Sequence, residues 1–176
     1  MKFHRIFTLG LACLLSACAS TTGHRRIGVT APIWSDVLVT GDQGVESVDI
    51  QGLNLTLQLE TYDQTWIFAG LGGRVYDFAE SDLLSRSTEF TGGVLRELGP
   101  LNGATQPFVE ATLRKSQIYD GLGTQTSFDL GGGIRREIGP ETYLEFGIVH
   151  QFEEYPAAFG RELDGWIARV GLLIGF

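Results

Sequence analysis

The sequence predicts an all-β fold in which eight antiparallel strands, joined up and down, close into a barrel. Three observations predict it. Segments of alternating polar and apolar residues recur along the chain, and period two is the mark of a strand with two unlike faces. Turn-forming residues separate these segments. A hairpin-sized unit also repeats. Glu89 to Pro100 aligns with Asp129 to Pro140, and Gly92, Gly93, Arg96, Glu97, Gly99 and Pro100 are matched by identical residues forty positions on.

The first strand is expected over 27–39, interrupted by Pro32, which has no N–H to give a ladder. The second, 47–59, changes phase near Gly52, from Val48 and Ile50 to Leu53, Leu55, Leu57 and Leu59, so a bulge is expected there. The third, 65–78, sets Ile67, Ala69 and Leu71 on one face. The fourth, 88–98, and the fifth, 107–118, form a hairpin around Gly99-Pro100, with Val109, Ala111 and Leu113 as an apolar row. The sixth, 125–138, and the seventh, 141–154, repeat it around Gly139-Pro140, with rows Phe128/Leu130/Ile134 and Leu144/Phe146/Ile148. The eighth, 163–176, is unbroken. Trp166, Ala168, Val170, Leu172, Ile174 and Phe176 face one way, and Arg169 with glycines 165, 171 and 175 the other. Most segments have the ~9–11 residues that a tilted membrane strand requires.

Arg169, Gly171, Ile174 and Phe176 have a polar, glycine, apolar, aromatic spacing. This resembles the C-terminal signature of bacterial outer-membrane β-barrels, which their assembly machinery reads. The other end has a basic start (Lys2, His4, Arg5) and an apolar run from Ile6 to Leu15, too short to span a bilayer as a helix. Leu15-Ser16-Ala17-Cys18 resembles a lipoprotein signal. That resemblance implies removal of 1–17, lipidation of Cys18 with palmitate-type chains, and sorting to the outer membrane, since Ala19 stands where a retention signal would place Asp. An ordinary small-residue cleavage site is the alternative. The expected organisation is therefore a signal peptide over 1–17, a lipidated linker over 18–26 and a barrel over 27–176. Cys13 leaves with the signal and Cys18 is consumed, so no cysteine site is expected in the mature chain. If the last strand ends in the periplasm, an even strand number returns the N-terminus and the anchor to that side. Both Gly-Pro turns and the Tyr62–Thr65 turn then lie there too.

The chain is acidic, formally −8, and loss of Lys2 and Arg5 makes it more so. No basic stripe is present, and no nucleic-acid partner is expected. Alternation alone does not say which row faces inward, and a soluble lipocalin-like barrel on a lipid anchor is the alternative. Glycine placement separates them. Gly70, Gly72, Gly131, Gly133, Gly147, Gly165, Gly171 and Gly175 lie among charged residues, where a narrow lumen needs small neighbours beside long side chains. The apolar rows then face lipid, and the expected fold is an eight-stranded antiparallel up-and-down transmembrane β-barrel. Aromatics near both rims (Tyr62, Phe108, Tyr143 and Phe176; Phe78, Tyr119, Phe152, Tyr155 and Trp166) are expected to form girdles.

Arg74, Glu110, Arg114, Asp129, Arg135, Glu137, Glu145, Glu153 and Arg169 occupy the inward rows in both signs. They are expected to pair as a network that plugs the lumen, since unpaired buried charges cost several kcal/mol each. A water-filled pore would need a wider barrel. Arg96 and Arg136 interrupt the lipid-facing rows near the Gly-Pro turns, and Lys115 and His150 do so near the other end. All four are candidate contacts to lipid or lipopolysaccharide phosphates, or else tolerated interfacial polar groups.

His150, with Glu154 on its face, would be the base of a lipid A-modifying enzyme, but Phe152 stands where that deacylase family has serine. The glycine runs lack a phosphate-binding pattern, no metal-ligand spacing appears, and no cofactor is expected. The overall pattern resembles the small outer-membrane barrels of the OmpA-transmembrane-domain and OmpX group. This implies a structural or interaction role in the envelope, with short outer loops (about 40–46, 79–87, 119–124 and 155–162).

Overall fold

A sheet with one polar and one apolar face must hide one of them, and eight strands allow it to do so by rolling up. The computed structural model describes residues 23–41, 44–79, 84–101, 104–118, 123–154 and 162–176. These form β1 (Arg25–Gly41), β2 (Gly44–Tyr62), β3 (Thr65–Phe78), β4 (Leu84–Glu97), β5 (Thr105–Ile118), β6 (Gly123–Gly139), β7 (Thr142–Glu154) and β8 (Glu162–Gly175). Each strand pairs antiparallel with its neighbours in sequence, and β8 closes on β1. All eight expected strands are present. The barrel begins at Arg25, two residues before the expected boundary. The signal segment and Cys18 lie outside the described residues.

Tight turns gather at one end, with left-handed backbone at Gln64 (φ 60°), Gly99 (φ 92°) and Glu141 (φ 52°). Residues Arg25 and Phe176 meet at the same end: Phe176 N donates to Arg25 O at 3.0 Å, and Gly175 N to Glu141 O at 2.7 Å. This is the turn end. At the opposite, loop end lie the strand ends Gly41 and Gly44, Phe78 and Leu84, Ile118 and Gly123, and Glu154 and Glu162.

The strands run to 19 residues in β2 and 13 in β7, longer than the ~9–11 residues of a tilted membrane strand. Polarity accordingly changes along the axis. Over the turn-end two-thirds, Leu55, Leu57, Leu71, Val94, Val109, Phe146 and Leu172 are exposed outward, while Thr56, Gln58, Glu97, Glu110 and Arg135 are buried inside. Toward the loop end the rows exchange character. Val37, Val39, Val48, Ile50, Tyr76, Phe78, Val149, Leu163 and Ile167 form a buried apolar cluster, and Asp36, Asp49, Gln51, Asp77 and Asp164 face outward.

This exchange corrects the expected bulge at Gly52. β2 pairs with β3 without a break from Val48 to Glu60, and the in–out alternation runs straight through Gly52. The two rows change composition there, not direction. The irregularity lies in β1 instead. Between Pro32 and Trp34 the β8 register shifts by one residue, which bulges Ile33, and the β1–β2 register shifts between Thr30 and Val37. The aromatic girdles are also thinner than expected. Tyr62, Phe152, Trp166 and Phe176 are exposed, but Phe78 and Phe108 share the inward rows of Tyr76 and Glu110 and are buried. Tyr119 and Tyr155 lie outside the described residues.

Candidate functional site: a charge-filled interior

Five arginines and five carboxylates pair inside the barrel among the described residues. The layer nearer the loop end centres on Glu89 of β4. Its Oε2 lies 3.2 Å from Arg74 Nε and 3.1 Å from Arg114 Nε, and Tyr76 OH donates to its Oε1 at 3.0 Å. Arg114 also meets Asp129 Oδ2 at 2.6 Å. Gln151 Oε1 accepts from Arg74 and Arg114, at 2.7 and 3.0 Å. The layer nearer the turn end centres on Arg135, which is 0 % exposed. It donates to Glu97 at 2.9 Å, Glu145 at 2.8 Å and Gln58 at 3.0 Å. Arg169 bridges Glu110 (2.7 Å) and Glu145 (2.9 Å). Arg26 binds Glu97 at 2.5 Å and lies over the Trp66 and Tyr143 rings, at 3.9 and 4.4 Å. A planar guanidinium suits this role because its forked donors reach two or three acceptors at once without losing charge.

Seven of the nine sequence-assigned inward charges join this network: Arg74, Glu110, Arg114, Asp129, Arg135, Glu145 and Arg169. Glu137 does not, and this corrects the expectation. It is exposed, because the β6–β7 ladder shifts between Glu137 and Gly139 and the strand is leaving the barrel at the turn-end mouth. The Glu153 side chain lies outside the described residues. Arg26, Glu89 and Glu97 were missed. The internal repeat was the signal available for two of them, since Glu89 stands where the second unit has Asp129. The repeat is not a sufficient guide: Glu97 and Glu137 are repeat equivalents, yet only Glu97 is buried.

Glycines leave the volume these side chains use, as expected for a narrow lumen. A Cβ on Gly93 would lie 2.6 Å from the Phe68 ring, and one on Gly147 would lie 3.2 Å from Arg169 Nε. On Gly70 it would meet Thr91 Oγ1 at 2.5 Å.

The outer surface carries the other assigned residues. Arg96 and Arg136 are exposed near the turn end, and Arg96 donates to Thr65 Oγ1 at 3.3 Å. Lys115 is exposed in the loop-end half. His150 is half-buried between Phe152 and Trp166, with its Nε2 3.1 Å from Asp164 Oδ1. Asp164, not Glu154, is its described acid, and the Glu154 side chain lies outside the described residues. Of the C-terminal motif, Arg169 and Gly171 face inward while Ile174 and Phe176 are exposed. Among the described residues no cluster of three metal-ligating side chains occurs.

No protein-family model matches the chain, nor does any curated protein. Solved structures do. Neisserial surface protein A is similar at TM-score 0.59 and 10 % identity, over 89 % of this chain and 99 % of that one. The outer-membrane protein OprG of Pseudomonas aeruginosa follows at 0.57 and 11 %, over 89 % and 97 %. The outer-membrane enzyme PagL matches at 0.50 and 11 %, over 82 % and 97 %. The shared property is the eight-stranded barrel fold.

Proposed function

We propose that this protein is a small integral barrel of the bacterial outer membrane, with its lumen sealed by the ion-pair network and a structural or interaction role in the envelope. One observation carries the reading: a continuous belt of exposed aliphatic and aromatic side chains surrounds an interior filled with paired charge. Only hydrocarbon makes such an outside favourable, and patches of this extent do not persist in water. A soluble lipocalin-like barrel needs the opposite arrangement, with the apolar row within.

On this reading the turn end faces the periplasm, and Arg96 and Arg136 meet inner-leaflet headgroups. Lys115 and His150 then meet lipopolysaccharide phosphates. A lipid on Cys18 and recognition of Arg169, Gly171, Ile174 and Phe176 by the assembly machinery belong to the same proposal. An enzymatic role has weaker support. The His150–Asp164 pair provides a base and an orienting acid, but a base without a nucleophile completes no triad.

The test is refolding of the mature chain. It is expected to fold only with detergent or lipid and to migrate anomalously on gels until boiled. In planar bilayers it should conduct no steady current. A monodisperse, folded protein in plain buffer refutes the proposal. An unchanged lipid A acylation pattern on deletion of the gene is expected, and a changed one favours the enzyme. Palmitate labelling that Cys18→Ala abolishes is expected for the anchor.

A further inference from the structure

The β1–β2 ladder is interrupted on one side of the barrel. Between Thr30↔Asn54 and Val37↔Val48, residues 31–36 of β1 and 49–53 of β2 form no ladder pairs. Each strand stays paired on its other side, Pro32 to Arg169 and Trp34 to Ala168 in β8, and Gln51 to Val75 and Leu53 to Gly73 in β3. The gap is therefore local. Its cause lies in β1, where Pro32 has no N–H to donate and the bulged Ile33 makes the strand one residue too long for both neighbours. Ser35 Oγ partly bridges the gap, accepting from Ile50 N at 2.9 Å and donating to Asp49 Oδ1 at 3.0 Å.

Behind the seam is a cavity of about 30 Å³. It is lined at the wall by Pro32 and Leu53 and inside by Asn54, Glu89 and the arginines 74, 114 and 169. Apolar packing caps the interior on the loop-end side, and the arginine–glutamate layer with Trp66, Phe68, Leu95 and Phe108 fills it on the turn-end side. The seam is thus the way in.

Resting on the membrane reading above, we propose that this seam is a binding site for a neutral, hydroxyl-headed single-chain lipid. Its tail lies outside, along Ile33 (61 % exposed), Trp34 and Leu53 (62 % exposed), and its hydroxyl enters the cavity. The seam straddles the level where outward residues change from Leu53 to Gln51 and Asp49, which is where the head of an amphiphile sits. Desolvation selects against ionic heads. Asp36 and Asp49 flank the mouth and repel anions, and inside Arg74 and Arg114 are paired with Glu89 and Arg169 with Glu110 and Glu145, so a cationic head finds no free carboxylate to offset the loss of its water. The buried network is balanced, with no spare charge for either. Two buried atoms in the lining lack hydrogen-bond partners, the acceptor Asn54 Oδ1 and the donor Arg169 Nε. A hydroxyl serves either, since it both donates and accepts.

The experiment titrates the refolded barrel in detergent with dodecanol, dodecanoate and dodecylammonium. The readout is Trp34 fluorescence, with Trp66 and Trp166 replaced by Phe, and bound lipid is counted by native mass spectrometry. Saturable uptake of one dodecanol per barrel, about tenfold or more tighter than either ion, is expected. No saturable uptake, equal uptake of all three, or preference for an ion overturns the proposal. Removing Ile33 together with Pro32→Thr should zip β1 to both neighbours and abolish dodecanol uptake. Asp36→Asn/Asp49→Asn, which leaves the seam parted, should raise dodecanoate uptake and spare dodecanol; unchanged dodecanoate uptake refutes the charge selection. Detergent dependence of folding is checked on the same preparation. A barrel that needs detergent but binds no alcohol refutes the seam alone, whereas one that folds in buffer refutes the membrane reading.

Discussion

The turn-end two-thirds of the barrel and its loop-end third are built on opposite rules from the same strands. In the first, leucines point outward and arginine–carboxylate layers fill the inside. In the second, valine, isoleucine and aromatic side chains are buried and aspartates face outward. The backbone alternation does not change between them, as β2 shows: Ile50 and Gln58 both face inward, and Gln51 and Leu57 both face outward. On the proposed membrane reading, what changes is the solvent: hydrocarbon surrounds the lower part, and the upper part is a small water-facing barrel with a buried apolar core. That reading puts the edge of the membrane at the row exchange near Gly52, which strand length alone does not mark.

Four perturbations test this contrast, from the largest expected effect to the smallest. Arg135→Leu takes from Glu97 and Glu145 one of the two arginines each holds, leaves the buried network with one uncompensated negative charge, and should cost about 3–5 kcal/mol of unfolding free energy, measured by denaturant titration in detergent. Its counterpart Glu137→Gln, at the exposed mouth, should change stability by under about 0.5 kcal/mol. A loss of similar size from both would dissolve the network. Next, Leu57→Arg should cost about 2–4 kcal/mol, because it sets a cation in the apolar belt, whereas Gln51→Arg on the same face of β2 should cost no more than about 1 kcal/mol. Equal costs at the two depths would mean that no membrane boundary lies between them. Third, Gly93→Ala should destabilise by about 1–3 kcal/mol, since the new methyl meets the Phe68 ring and the Ala111 carbonyl. A companion Phe68→Leu substitution should recover part of that loss. The smallest effect belongs to the water-facing rim. Asp49 and Asp77 are direct cross-strand partners of like charge, so Asp77→Asn should stabilise by about 0.2–1 kcal/mol, and the gain should shrink in high salt.

Much of the site was legible from alternation and sign. Arg74, Arg114, Asp129, Arg135, Glu145 and Arg169 sit on rows whose opposite faces are plainly apolar, so their inward direction follows from period two. Arg26, Glu89 and Glu97 escaped for local reasons. Arg26 precedes the expected start of β1, and β4 is the strand with the weakest apolar row on its other face, broken by Arg86, Thr88 and Arg96. Glu97 and Glu137 are equivalent in the repeat but not in the barrel. They part because Glu97 receives Arg26 from β1 and Arg135 from β6, whereas β6 is already leaving the barrel at Glu137.

Sequence by itself determined the number of strands, their direction and the alternation of two unlike faces, because a two-residue period and its turn residues are local properties of the chain. Tertiary structure alone decided which charges pair, where the two rows exchange roles and that the β1–β2 ladder lapses beside Pro32. Those outcomes depend on registry across strands distant in sequence: one extra residue at Ile33 is invisible along β1, and it becomes a gap only when β2 and β8 must both align with it.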